Sequence, residues 1–192
     1  MNNEHQEKSY DDIGGLTISP NSKRLAYMAK SGDKKVIVLD GIEGKPYNEF
    51  QFDVFSPDSQ YFAYSAQKGG KFLVVRDGVE GKKYDEILGL TYSPDNNTLA
   101  YCASYKDGIS FIVVNEEEGK PYDLAAGKSI TFSPDSKHVA HVAKSKGQDR
   151  IVIDGNDSKP YDTILTGITA TQYGFQYLAI KDTNIYLVED KI

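Results

Sequence analysis

The side chains best able to do chemistry in this sequence are few and scattered. Asp53 sits in a short strand-like stretch at a position held by Leu16, Leu90 and Ile130 in matching stretches, so a carboxylate enters an otherwise apolar row. Such a carboxylate requires a partner or a displaced pKa. Lys128 and Ser129 occupy another of these stretches, where the matching residues are Gly14 and Gly15, or Leu88 and Gly89. A lysine there could face Asp53 across a narrow channel, as a structural ion pair or as a ligand site, and both readings stay open. Glycoside hydrolysis needs a second carboxylate at a fixed separation, and the sequence offers Asp53 no such mate. His138 and His141 are three apart, a spacing that puts them on opposite faces of a strand and provides no metal set. Cys102, the single cysteine, stands where its counterparts are Met28, Ser65 and Val142; it reads as a buried filler and precludes an internal disulfide. No nucleophile, base and acid set appears, and the Gly-Gly pairs at 14–15 and 69–70 are turn material rather than a phosphate loop. The expectation is no catalytic residue, no metal and no cofactor.

These residues lie within a repeated text. Tyr followed by Asp or Asn recurs at Tyr10, Tyr47, Tyr84, Tyr122 and Tyr161, at separations of 37 to 39 residues, a period typical of repeat architectures. Each unit holds four strand-like stretches. The first ends in a tight turn, Ser19-Pro20-Asn21, Ser56-Pro57-Asp58, Ser93-Pro94-Asp95 and Ser133-Pro134-Asp135, where Pro presets the turn and Asn or Asp bonds back to it. The fifth unit has Thr171-Gln172-Tyr173-Gly174 instead, read as drift in a closing unit. The second stretch alternates and always contains Ala: Ala26, Ala63, Ala100, Ala140 and Ala179, small enough for two sheets to approach closely. The third is an unbroken apolar run, Val36 to Leu39, Phe72 to Val75, Phe111 to Val114, Ile151 to Ile153 and Ile185 to Val188, suited to a strand covered on both faces. A hairpin signal follows at Asp40-Gly41, Asp77-Gly78, Asn115-Glu116 and Asp154-Gly155. The fourth stretch contains Pro46, Pro121 and Pro160, which places it at the sheet edge, where a missing N–H costs least.

Ser-Pro-Asp, the hydrophobic-Ala-Tyr strand, Val-Val-x-Asp-Gly and Lys-x-Tyr-Asp together resemble the WD-repeat-like propeller units of the TolB type, over Tyr10 to Asp190. The Trp-Asp pair of true WD repeats is absent. TolB-type propellers usually have six blades and follow a signal peptide; here the polar opening MNNEHQEKSYDD shows no apolar signal core, and cytoplasmic residence is expected. The resemblance implies protein–protein interaction.

The chain opens on a fourth-strand signature, Lys8-Ser9-Tyr10-Asp11, and ends on a third-strand signature, Ile185-Tyr186-Leu187-Val188. The two halves complete one sheet. The expected fold is therefore all-β, a single domain over residues 1–192 forming a five-bladed propeller of four-stranded antiparallel blades, closed as a monomer by the N-terminal strand completing the last blade.

With 22 basic against 28 acidic residues and no basic block, nucleic acid is a poor partner, and no run is long and apolar enough to span a membrane. One rim of such a propeller would carry the Tyr-Asp positions together with Lys34, Lys68, Lys71, Lys106, Lys146 and Arg150, the opposite rim the Ser-Pro-Asp turns with Glu43, Glu80 and Glu116 to Glu118. A protein or peptide bound at the lysine rim is the expected partner. A glycan held by pockets at the repeated tyrosines is the alternative, although recurrence in every unit favours architecture for those rings.

Overall fold

In the computed structural model, which describes residues 8–192, the chain forms five antiparallel sheets and one short 3-10 turn at Gly127–Ser129. Sheet 1 runs Asp12–Ile18, Leu25–Ser31, Lys34–Leu39, Ile42–Glu43, in spatial as in chain order. Sheet 2 (Glu49–Phe55, Phe62–Lys68, Lys71–Arg76, Val79–Tyr84) and sheet 3 (Glu86–Tyr92, Leu99–Ser104, Ser110–Val114, Glu117–Glu118) repeat that order. In sheet 4 the first strand is split into Leu124–Ala125 and Thr131–Phe132, both paired with Val139–Ser145; Gln148–Ile153 and Asn156–Asp157 follow. Sheet 5 has a similarly split first strand, Thr163–Ile164 and Thr169–Thr171, then Gly174–Lys181 and Asn184–Lys191. The opening residues, up to residue 7, lie outside the described part.

Local chemistry explains where strands stop. At Asp40-Gly41, Asp77-Gly78 and Asp154-Gly155 both residues have positive φ, the conformation of a type I′ hairpin, and each Asp Oδ1 also accepts the N–H that opens its sheet's second strand, at Leu25, Phe62 and Val139. The fourth strand is continuous only in sheet 2, whose Lys82-Lys83-Tyr84 contains no proline. Where Pro46, Pro121 or Pro160 intervenes, the strand shrinks to two residues and pairing resumes only as isolated bridges Lys35 to Tyr47, Ser110 to Tyr122 and Asp149 to Tyr161.

The sheets stack face to face. Ala26, Ala63, Ala100 and Ala140 are all fully buried, so the recurring small residue lies where neighbouring layers press together; Ala179 is buried too, but its register matches Ala29, Ala66, Ala103 and Ala143, and Gln176 takes the expected place in sheet 5. Between sheets 1 and 2 the core contains Ile37, Tyr47, Phe62 and Leu73; between sheets 3 and 4 it contains Ile112, Tyr122 and Val152.

The same clamp recurs on sheets 1 to 4. The lysine and tyrosine of one fourth strand meet a single carboxylate on the next: Lys8 (2.8 Å) and Tyr10 (2.7 Å) on Glu43, Lys45 (3.6 Å) and Tyr47 (2.9 Å) on Glu80, Lys82 (3.4 Å) and Tyr84 (3.3 Å) on Glu118, Lys120 (2.8 Å) and Tyr122 (2.7 Å) on Asp157. The following Asp or Asn then caps the next sheet's hairpin, accepting the N–H of Gly32 at Asp11, Gly69 at Asn48, Lys106 at Asp85, Lys146 at Asp123 and Asp182 at Asp162. On the opposite rim the Ser-Pro-Asp turns are linked in series, with Asn21 N–H on Ser59 Oγ, Asp58 N–H on Asn96 Oδ1 and Asp95 N–H on Ser136 Oγ.

The expected closure is not present among the described residues. Lys8 to Asp11 rest on sheet 1, and no β-bridge joins them to Asn184–Lys191, which pairs only with Gly174–Lys181. The third strand of sheet 5, expected to be covered on both faces, is mostly exposed, with Ile185 and Leu187 each at 66 %. At the other end Ile13, Leu16 and Ile18 are 58 %, 64 % and 59 % exposed. The clamp is also incomplete at sheet 5 among the described residues: Tyr161 packs on Tyr177, and no described carboxylate accepts its hydroxyl.

Removing the hydroxyl in Tyr122→Phe strips Asp157 of a buried donor and should lower unfolding free energy by about 1–2 kcal/mol. Tyr161→Phe, which leaves no acid deprived, should cost well under half of that. Urea denaturation of the two variants distinguishes them; equal losses would remove the clamp from the account.

Candidate functional site: the lysine-bearing rim and the first-strand row

The Asp and Asn caps fix one point of topology directly. Because Asp11, Asn48, Asp85, Asp123 and Asp162 hold the hairpins between second and third strands, the Tyr-Asp positions and the lysine-bearing hairpins share one rim. Not all of its lysines are available. Lys68 is paired with Glu80 at 3.0 Å, Lys71 with Asp85 at 2.8 Å, and Arg150 with Asp157 at 2.9 Å as part of a clamp. Lys34, Lys106 and Lys146 are exposed and make no side-chain ion pair among the described residues. The three lie on the hairpins between second and third strands of sheets 1, 3 and 4, Lys106 and Lys146 at the capped N–H and Lys34 two residues beyond it. Asp33 and Asp107 stand beside two of them, and the rim carries both signs. The acids expected on the opposite rim behave differently: Glu43, Glu80 and Glu118 are spent in the clamps. Hydrogen bonds from Lys8 and Tyr10 hold Glu43 below the usual carboxylate range, and those from Lys68 and Tyr47 do the same for Glu80.

Asp53 and Lys128 are not brought together. Asp53 is half-buried on the first strand of sheet 2, beside Thr17 of sheet 1, and its Oδ2 is enclosed without a hydrogen-bond partner. Burial pushes its pKa up, only partly offset by a hydrogen bond with Thr17. Lys128 is exposed and takes part in no ion pair among the described residues. Its segment is not strand either. In sheets 1 and 3 the first strand bulges at this point, with Gly15 and Gly89 at φ of 61° and 63°. Sheet 2 bulges there too, with Phe52 in place of the glycine, whereas sheet 4, with Ser129 there, winds into the 3-10 turn. Ser129 stabilises it, donating to Ala126 O at 2.6 Å and accepting Val142 N–H at 2.8 Å. Gly127 is what lets this turn approach sheet 3, since a Cβ there would collide with Leu88 O and with Cys102 Cβ.

The remaining reactive side chains are absorbed by packing. Cys102 is buried, its Sγ 3.1 Å from Ala125 O, and burial lifts the thiol to about 11. Tyr47, Tyr84, Tyr122 and Tyr161 are buried, so their ring faces meet other side chains. The acid partner of each tyrosine, four residues before the next tyrosine, was readable as a periodic Glu or Asp but has no meaning until two sheets are stacked. The structure also opens grooves between sheets: one of about 250 Å³ bordered by Leu39, Ile42, Glu43 and Tyr64, and one of about 730 Å³ bordered by Arg76, Val79, Glu80 and Glu116.

No protein-family model matches the chain, and no curated protein matches it. Solved structures do. The β-propeller domain of the Trilobed protease from Pyrococcus furiosus, described as having an open velcro topology, is similar at a TM-score of 0.58 and 12 % identity, covering 94 % of this chain and 71 % of that one. A eukaryotic initiation factor is similar at 0.53 and 14 %, covering 95 % and 53 %. TolB from Acinetobacter baumannii is similar at 0.49 and 16 %, covering 94 % of this chain. The fold is thus a β-propeller type, its sheets are blades, and TolB-type proteins are among its structural neighbours. The chain spans 55 % of the length of that TolB structure.

His141 stands where other blades carry tyrosine and packs edge-on against Tyr122. Burial lowers its pKa from 6.5 to about 4, so it is neutral when folded at neutral pH. The unfolded chain takes up a proton first as pH falls, and stability should be lost between about pH 6.5 and 4, at up to about 1.4 kcal/mol per pH unit. His141→Tyr should flatten that stretch of the stability profile measured by denaturant titration. A slope identical to that of the parent would show that His141 is not the titrating group.

Proposed function

We propose that this chain is a non-enzymatic binding scaffold of five blades that takes an acidic peptide segment on its lysine-bearing rim. The observation that carries the reading is the placement of Lys34, Lys106 and Lys146 at equivalent hairpins of one rim, exposed and without a side-chain ion pair among the described residues, while Lys68 and Lys71 are neutralised. Three cations spaced over separate blades on one rim suit an extended chain of carboxylates, where charge complementarity sets orientation and encounter rate. The non-enzymatic part rests on the residues themselves: Cys102 is protonated and enclosed, and Asp53 and Lys128 stand apart. The glycan alternative is weakened because four of the five repeated tyrosines present no ring face to a sugar.

A fluorescent peptide of about ten glutamates is a suitable probe. Lys34→Glu, Lys106→Glu and Lys146→Glu combined should weaken its binding at least about tenfold and reduce its salt dependence, whereas Lys68→Gln with Lys71→Gln should change it little. Equal affinity of the parent and the triple variant would sink the proposal.

A further inference from the structure

Departures from the repeat converge on one groove from both of its walls. On the third strand of blade 2, Arg76 stands where blades 1, 3 and 4 have Leu39, Val114 and Ile153. In the hairpin of blade 3, Asn115 and Glu116 replace the Asp40-Gly41, Asp77-Gly78 and Asp154-Gly155 of blades 1, 2 and 4. Arg76, Asn115 and Glu116 all border the groove of about 730 Å³ between blades 2 and 3. Glu116 has a φ of 67°, a conformation that favours glycine and is unfavourable for glutamate. Its carboxylate is drawn back across the groove, where Oε1 accepts the Tyr101 hydroxyl at 3.3 Å and Oε2 the Lys82 N–H at 3.4 Å. It lies against Gly81, on which a Cβ would come within 2.6 Å of Oε2.

The groups that receive this carboxylate are fixed in advance. Tyr101 is only 1 % exposed, so packing holds its phenol in place. The Arg76 guanidinium lies 5.4 Å and 5.3 Å from the ring centres of Tyr61 and Tyr92, and its ion pair with Asp77 is long, at 3.9 Å. Asp77 itself accepts the Phe62 N–H, and Glu80 is already met by Lys45 and Lys68. Val74, Val79 and Leu99 give the groove apolar lining. Both contacts to Glu116 are long for hydrogen bonds to a carboxylate, so it is weakly held. The equivalent groove between blades 1 and 2 lacks this chemistry: Tyr64 stands in the place of Tyr101, but Leu39 supplies no cation and Gly78 no acid.

We propose that the groove between blades 2 and 3 binds an apolar carboxylic acid, with Glu116 as the tethered occupant that the ligand displaces. The ligand's carboxylate takes over the Tyr101 hydroxyl and the Lys82 N–H, Arg76 supplies positive charge in the same groove, and the hydrocarbon lies against Val74, Val79 and Leu99. Once Glu116 has turned out, these donors lack an anion, and a partly dry groove strengthens their pull on one.

Decanoate is a suitable probe. The groove is competent only in the fraction of molecules whose Glu116 has turned out, so Glu116→Gly should tighten decanoate binding at least about tenfold in titration calorimetry. That variant restores the turn residue of blades 1, 2 and 4 and suits the local backbone. Decanol, with the same hydrocarbon and no carboxylate, should gain nothing. Adding Arg76→Gln, which keeps a stem on the two rings, should abolish the gain. Equal decanoate affinity of the parent and Glu116→Gly would overturn the proposal, as would a gain that survives Arg76→Gln. An equal gain for decanol would also overturn it, reducing the groove to unspecific apolar surface.

Discussion

The structure depends on a tyrosine hydroxyl inserted between two sheets with one carboxylate to receive it. Each buried phenol needs an acceptor, and burial makes its ionisation harder still, which keeps it a donor. The acceptor is charged and would be costly in an apolar gap. At Asp157 burial works to raise the pKa, yet hydrogen bonds from Lys120, Tyr122 and Arg150 outweigh it and hold the carboxyl at about 2. One interaction therefore fixes the distance between sheets, the register of the outer strand and the position of a lysine. The same residue group, repeated with its Asp or Asn cap, sets the stacking of successive blades.

That constraint explains which parts of the fold were legible in the sequence. The Asp-Gly hairpins, the buried alanines and the edge prolines are local devices, and each occurs where its chemistry requires. Even the interruption of the outer strands at Pro46, Pro121 and Pro160, against the continuous strand at Lys82-Lys83-Tyr84, follows from one missing N–H. The 3-10 turn at Gly127–Ser129 was not written there: Phe52 also replaces the glycine found at Gly15 and Gly89, yet sheet 2 bulges, so the missing glycine alone does not select the turn.

What local text does not encode is the relation between distant blades. Asp53 and Lys128 are opposite charges on matching strands, but whether they meet depends on the curvature of the array, which is a sum of small rotations at every junction. Closure depends on the same sum. The fourth-strand signature at Lys8 to Asp11 and the third-strand signature at Ile185 to Val188 are local patterns that leave this sum open, and among the described residues no β-bridge joins the two.

Repetition also shapes where binding can reside. A side chain present in every blade is under the same packing demand in every blade, and the tyrosines, their acids and their caps are all consumed by it. Lysines illustrate the remainder: Lys8, Lys45, Lys82 and Lys120 are alike and clamped, while Lys34, Lys106 and Lys146 fall on hairpins whose sequences differ from blade to blade, that of sheet 3 also in length. Hairpins are free to vary because only the backbone N–H that the Asp or Asn cap receives is constrained. Variation permitted at the rim by a single backbone contact is the physical basis on which a repeat array acquires a surface that is not itself repeated.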